Sequence, residues 1–368
     1  MSYPFGIFSD AHLHNWSQFS SINKDGLNTR LVDILNEIKS AAANVKARGG
    51  DTLYCAGDLF HIRGSVSPDV LNPLIDVIEG LGDDGIKLRI LTGNHDLKSR
   101  DSEALSSACE ALRTLPNVEV VSKPTVFVDD MVAMVPWYDA VDDIRKNIHE
   151  LKDAIESNTI PALADVSNWT LIIHAPVNGV LVGIPDHGFW AKELEVLGFK
   201  YVFSGHYHAH KEFPGNVFSV GATTHQTWND VGTLAGHLIV NDASVEHIES
   251  KAPKFLDYDL TWDAGDAYEK VDGNFVRVVM GAATEEDVEF IRETIMDFGA
   301  AGVVVNAIPV PKGTVTTRSA PVAAAVITTR DSIKQWIDTN AAGKDPAFIA
   351  KVQARATAII NEVESVTV

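Results

Sequence analysis

A chain of 368 residues that is 45% apolar and 22% charged, with a formal net charge of −20, has an ordinary globular composition and is long enough for two domains or one domain with an appendage. No apolar run is long enough to span a bilayer, and Met1-Ser2-Tyr3-Pro4-Phe5 lacks the basic region and apolar core of a secretion signal. So acidic a chain argues against nonspecific duplex binding by itself, and its two cysteines, Cys55 and Cys109, read as reduced structural thiols of a cytoplasmic protein.

In chain order, the first apolar run, Phe5–Ser9, leads into Asp10-Ala11-His12. Leu27 to Arg48 follows as an amphipathic helix, with Leu31, Ile34, Leu35, Ile38, Ala42 and Val45 on one face and Gly49-Gly50 as its stop. Thr52–Ala56 leads into Gly57-Asp58, and Pro68 opens a second helix that stops around Gly80 to Gly85. Leu88–Thr92 leads into Gly93-Asn94-His95-Asp96, with a third helix expected after Asp101-Ser102, running to about Leu112. Strands are expected at Val118–Val121, Thr125–Val128 and Met131–Val135, then a helix from about Asp139 to Ser157. Leu171–Ile173 leads into His174, and Tyr201–Ser204 into Gly205-His206-Tyr207-His208. The alternation of strand and helix in the first half suggests a sheet covered by helices. Strand patterns at Val217–Val220, Leu234–Val240, Ser244–Glu249 and Phe255–Leu260 suggest a second sheet packed against the first.

Near Asp263 the character changes. A strand-helix-strand unit (Asn274–Met280, Glu285–Phe298, Gly302–Ile308) suggests a small separate domain. After Pro309–Ala323 come two amphipathic helices, about Asp331–Asn340 and Asp345–Glu364, whose apolar stripes pack either on their own domain or on a partner. The division expected is therefore 1–262, 263–325 and 326–368.

Five apolar runs thus each end in residues that bind divalent cations. Sites in α/β proteins form where strands end at their carboxyl edge. Each motif alone is weak, since Asp-x-His and Gly-Asp are common and a histidine closing a strand is usually a core residue. Together they supply Asp10, His12, Asp58, Asn94, His174, His206 and His208, the donors of a two-metal hydrolytic centre. Imidazole with carboxylate suits manganese, iron or zinc better than calcium. A bridging carboxylate can hold two ions that stabilise both attacking and leaving oxygens, and a metal-bound water becomes a hydroxide nucleophile near neutral pH. His95, next to Asn94, is read as the group that stabilises transition-state charge and protonates the leaving oxygen, with Asp96 orienting it. Arg63, Lys98, Arg100 and Lys211 follow these motifs closely and are either phosphate-attracting or scattered surface residues.

This series, Asp10-Ala11-His12, Gly57-Asp58, Gly93-Asn94-His95-Asp96, His174 and Gly205-His206-Tyr207-His208, resembles the calcineurin-like metallophosphoesterases over about Phe5 to Val240. The resemblance implies an α/β fold of two mixed sheets flanked by helices, with a small α+β cap and terminal helices beyond it. It also implies one metal held by Asp10, His12, Asp58 and His208, and a second held by Asp58, Asn94, His174 and His206, with manganese the expected ion. Gly57-Asp58-Leu59-Phe60-His61 looks like the nuclease subunits of double-strand-break repair complexes, of the SbcD type and its bacteriophage counterparts, where the histidine matching His61 places the DNA strand. Protein phosphatases of the superfamily carry Asp-Arg-Gly after this motif and Glu after Gly-Asn-His, whereas Ile62-Arg63-Gly64 and Asp96 stand here.

The resemblance therefore implies a 3′–5′ DNA exonuclease and endonuclease of DNA repair or recombination, in a bacterial or phage-infected cell. Its partner would be an SMC-like ATPase docked on the C-terminal helices, and a homodimer stays open. An alternative is a small-molecule phosphodiesterase or nucleotide phosphatase of the same superfamily, and a third reading is a scaffold subunit with a decayed site. The sequence departs from the nuclease pattern at Leu13-His14, where Leu-Gly is usual. His14 stands near the first metal or on the surface, His210 is exposed or near the ligands, and His187 and His225 face substrate or solvent.

Overall fold

Short, fully buried, β-rich runs build the centre of the molecule. In the computed structural model, which describes residues 4–99, 107–183 and 185–309, β1 (Phe5–Phe8), β2 (Thr52–Cys55), β3 (Lys87–Leu91) and β4 (Val118–Val121) are parallel neighbours. Their apolar side chains point to both faces, as parallel strands covered on both sides require. The second sheet contains β5 (Thr125–Phe127), β6 (Val132–Val135), β7 (Thr170–His174), β8 (Tyr201–Gly205), β9 (Lys211–Phe213) and β10 (Val217–Ser219). Its order is β5-β6-β7-β8-β10-β9, parallel except for the antiparallel edge strands β5 and β9. β11 (Gly236–Val240) and β12 (Val245–Glu249) turn back and join the first sheet antiparallel, giving β12-β11-β1-β2-β3-β4. The expected second sheet is present, but these two late strands belong to the first, because β11 pairs with the free edge of β1.

The two sheets face each other across Phe5, Ile7, Tyr54, Leu91, Met134, Ile172, Phe203 and Leu238. Outside the first sheet lie α1 (Thr29–Ala47) and α2 (Pro68–Asp83), packed through Leu31, Ile34, Ile38, Leu74 and Ile78. The Asn28 side chain caps α1, accepting from the amides of Arg30 and Leu31. Outside the second sheet lies α3 (Val141–Glu156), which buries Ile144, Ile148 and Ile155, with the short α4 (Pro161–Ala164) and α5 (Ala191–Glu195). In place of a long third helix there is a 3-10 helix at Ala108–Thr114, capped by Ser107; the expected start of that helix lies outside the described residues.

The strand expected at Phe255–Leu260 also leaves the sandwich. As β13 (Phe255–Asp257) it pairs with β14 (Phe275–Ala283), which pairs in turn with β15 (Gly302–Pro309), in a separate, all-parallel sheet. α6 (Ala264–Val271) and α7 (Glu285–Asp297) connect these strands, and Val271, Val276, Val278, Ile295 and Val303 form their core. Two contacts dock this sheet on the loop after β1. Phe19 stacks on Phe275 with centroids 4.8 Å apart, and Gly302 must lack a side chain because a Cβ there would sit 2.2 Å from the Phe19 ring. The helices expected near Asp331 and Asp345 lie outside the described residues. Among the described residues, no helix is long and apolar enough to cross a membrane.

Candidate metal centre

The carboxyl ends of β1, β2 and β3 in one sheet and of β7 and β8 in the other point at one place, where a doubly covered α/β sheet presents its ligands. The backbone there is strained. Asp10 (φ 48°), His12 (φ 45°), Asp58 (φ 51°) and His206 (φ 111°) all occupy the left-handed region that side chains rarely adopt. Such conformations persist when the surroundings over-determine them, and they cluster at functional sites. Gly57 and Gly93 make room: a Cβ would stand 2.2 Å from the His174 ring at the first and 2.3 Å from Asp58 at the second.

All seven sequence-derived donors converge. The donor atoms of Asp10, His12 and His208 lie within 4.8 Å of one another, as do those of Asp58, His174 and His206. Asp58 stands between the two groups: its Oδ2 is 3.7 Å from His12 Nε2 and 3.5 Å from His174 Nε2. Asn94 Oδ1 lies 3.0 Å from both His174 Nε2 and His206 Nδ1. Asp10 and Asp58 are both almost wholly buried. Asp10 Oδ2 accepts from Ser9 and from the His206 amide, whereas Asp10 Oδ1 is buried with no hydrogen-bond partner among the described residues and only His12 Nε2 near it, at 3.9 Å. Two buried carboxylates, one with an oxygen that receives no hydrogen bond, surrounded by imidazole nitrogens and an amide oxygen, fit a pair of divalent cations.

Without ions, the buried carboxylates and imidazoles of the site lean on one another. Burial works against ionisation at Asp58, but His174 and His12 beside it hold its carboxyl well below the usual range. Burial would depress His174, but Asp58 and Asp10 hold it up at about 9. Burial and the neighbouring His174 push His206 down to about 3. His174 donates from Nδ1 to the Ala56 carbonyl at 2.8 Å, so Nε2 is the nitrogen turned to the site and the one a bound cation would deprotonate.

The predicted catalytic residues are placed as follows. His95 donates from Nδ1 to the His61 carbonyl at 2.8 Å, its amide donates to Asp58 Oδ1 at 2.7 Å, and its ring stacks on that of His61. His61 also meets Trp16 and His14, and burial with His14 alongside pushes it down to about 4. Asp96 does not hold the His95 ring. Its two oxygens accept from the Phe60 and Gly93 amides at 2.9 Å each, so it ties the loops after β2 and β3 together. Burial, with Asp58 nearby, pushes the Asp96 carboxyl up to about 7.

Of the flanking histidines, His210 and His225 sort differently from expectation. His14 packs on Trp16 and His61 and is in none of the metal-ligating groups among the described residues. His210 is not exposed: it donates to the Ser219 carbonyl and stacks on His247 at 4.5 Å. His225 is buried, donating to Thr233 O and accepting the Phe255 amide, so it anchors β13 rather than facing substrate. His187 is exposed, 3.3 Å from the Tyr207 hydroxyl. Of the basic residues, Lys98 packs over Gly64 and stays exposed, Lys211 donates to the Gly179 carbonyl, and Arg100 lies outside the described residues.

Sequence reading missed two supports. Asp230 Oδ1 accepts from His208 Nδ1 at 2.9 Å, the carboxylate–imidazole pairing that orients metal-binding histidines. Its other oxygen accepts from the Gln226 and Thr227 amides, and Gln226 Nε2 donates to the Asp10 carbonyl at 2.6 Å. The available signal was the Thr227-x-x-Asp230 capping box, which marks a rigid turn but not what the turn holds.

The family model described as calcineurin-like phosphoesterase matches residues 3–210. The chain is 27% identical over 232 residues to Exonuclease subunit 1 of Enterobacteria phage T4, and the match covers 62% of each chain. Among solved structures, a dimetal phosphatase from Danio rerio aligns with a TM-score of 0.38 and 11% identity, covering 66% of this chain and 93% of that one.

Proposed function

The chain belongs to the calcineurin-like phosphoesterase family and is a phosphoester hydrolase, and from that premise we propose that it is a manganese-dependent DNA nuclease. The observation that carries the reading is Asp58, a buried carboxylate within 3.7 Å of His12 Nε2 on one side and 3.5 Å of His174 Nε2 on the other. Asp10, His12, Asp58 and His208 would hold one ion, and Asp58, Asn94, His174 and His206 would hold the other. When bound, the two ions supply Lewis-acid stabilisation of phosphoryl oxygens and acidify water.

The chain's own residues do the rest. His95, its ring fixed by the His61 carbonyl, gives a proton to the leaving oxygen. His61, stacked against His95, positions the strand whose phosphate enters the site. Asp230 keeps His208 in the tautomer that turns Nε2 inward. Asp96 holds the loops of Asp58 and Asn94 in register through Phe60 and Gly93.

DNA as substrate is supported by the phage exonuclease subunit the chain resembles. Its name as a subunit supports a larger assembly. The partner we propose is an SMC-like ATPase that supplies the DNA affinity a chain of net charge −20 lacks. It would dock on the C-terminal segment, 326–368, beyond a small domain at 263–325. The same charge favours a second reading, a small-molecule phosphodiesterase. End-labelled duplex and single-stranded DNA, digested with manganese and with EDTA, separates the two. Processive loss of 3′ label with manganese is expected; hydrolysis of bis(p-nitrophenyl) phosphate with intact DNA would favour the second reading. Co-purification of the ATPase with the full chain, but not with one ending at Arg330, tests the docking segment.

A further inference from the structure

Beside His206 a cavity of about 500 Å3 opens, lined by Asn94 and His206 of the centre and by Trp137, Pro176, Arg145 and His187. Its volume lies in the range of sites that bury a small organic ligand. Trp137 follows β6; its amide donates to the Thr92 carbonyl at 3.0 Å and its ring stacks on His206 at 5.1 Å and 24°. The indole Nε1 is buried with no partner among the described residues. The site as described above gives this cavity no role, nor His187 on its wall.

The charge of the lining decides what fits. Arg145 is the cation of the lining, and it is already committed: it donates to both oxygens of Glu193 and to Asp142 at 2.6 Å, with Phe189 under its guanidinium. Asp139 and Asp142 also line the space. A second phosphate would meet two carboxylates and no uncommitted guanidinium. A flat, neutral ring meets an indole and a proline, the kind of surface on which bases stack regardless of sequence. The inner end of the cavity is formed by donors that would hold the second ion, so a group attached to the reacting phosphate reaches it directly.

We propose that this cavity is the nucleobase subsite of the centre, receiving the base next to the phosphate that is hydrolysed. The proposal rests on the phosphodiesterase reading above. It makes a nucleoside phosphodiester a better substrate than an alkyl one with the same leaving group.

The test compares kcat/KM for thymidine 5′-(p-nitrophenyl phosphate) and methyl p-nitrophenyl phosphate, using the full chain with manganese. The wild type is expected to prefer the thymidine ester. Trp137→Ala should reduce that preference about 5- to 100-fold, chiefly through KM, while Trp137→Phe keeps most of it. Ala140→Phe, which fills the cavity from an exposed lining position at the start of α3, should reduce it as well. Should Trp137→Ala fail to fold, Ala140→Phe carries the test alone. A wild type without preference overturns the subsite, as does a preference unchanged in either folded variant. If the two esters lose activity by the same factor, Trp137 merely seats His206 and the subsite is again refuted. Hydrolysis of neither ester by the wild type would instead refute the phosphodiesterase reading itself.

Discussion

Arg30 is the least expected link between the loop that supports Asp10 and the third sheet, and replacing it by Met measures that link. The guanidinium is almost wholly buried at the start of α1. It donates to the Gln226 carbonyl at 2.8 Å and the His225 carbonyl at 3.3 Å, and it lies 5.1–5.5 Å from the centroids of Trp16, Phe255 and Phe275. Met keeps much of the apolar stem but strands the carbonyls and removes the cation from three rings. Stranded buried acceptors cost about 1–3 kcal/mol each and cation–π contacts contribute about 0.5–2 kcal/mol, so Arg30→Met should destabilise by about 3–5 kcal/mol. With roughly 300 residues unfolding together, each kcal/mol moves the midpoint by about 1.5 °C, so a fall of about 5–8 °C is expected by thermal circular dichroism. Arg30→Lys, which keeps the charge but not the fork, should lose about half as much. Because Gln226 also donates to the Asp10 carbonyl, manganese affinity should weaken in the same variant. A midpoint within 1 °C of wild type, or a lysine variant as unstable as the methionine one, would refute this assignment.

Four other expectations follow from named contacts. His95→Ala should keep full metal content by elemental analysis but lose about 10²–10⁴ in kcat; turnover within threefold of wild type would rule out a proton-donor role. Asp230→Ala frees the His208 ring and should weaken metal binding by about 10- to 100-fold in calorimetric titration, so unchanged affinity contradicts the pairing. His237 is buried, and burial with His247 nearby pushes it down to about 4, so the folded state keeps it neutral where the unfolded chain takes up a proton. Its contribution is complete above about pH 6.5 and is lost as pH falls towards 4. Urea unfolding of His237→Gln should therefore show a shallower acid decline than wild type over that window, and equal slopes would contradict the account. Arg63→Glu with Lys98→Glu should weaken DNA binding and flatten its salt dependence; equal affinity at low salt would mark these residues as bystanders.

The sequence exposed the parts of this protein that repeat one physical rule. A buried parallel strand is a short apolar run, and its carboxyl end is where polar side chains can enter the site. Five such ends therefore located Asp10, His12, Asp58, Asn94, His174, His206 and His208 before any coordinates. The periodicity of α1 was equally plain, because it buries one stripe against a sheet. What stayed hidden depended on pairing across long separations. Nothing local in Phe255–Asp257 says whether it extends the sandwich or starts a new sheet, and its neighbour β14 decides. Asp96 follows His95 in sequence, yet its oxygens turn to Phe60 and Gly93, which only the folded loops bring near. Asp230 and Gln226 lie in a loop without a preceding strand motif, so the rule that found the candidate ligands passed over these two supports. His210 and His225 sit near metal motifs or in predicted loops, but backbone carbonyls and neighbouring rings absorb them.

The most direct test is anomalous diffraction from crystals of the full chain soaked in manganese. The account predicts two peaks on either side of the Asp58 carboxylate, one against Asp10, His12 and His208 and the other against Asn94, His174 and His206. No peak at Asp58, or ions bound only at surface carboxylates, would contradict it.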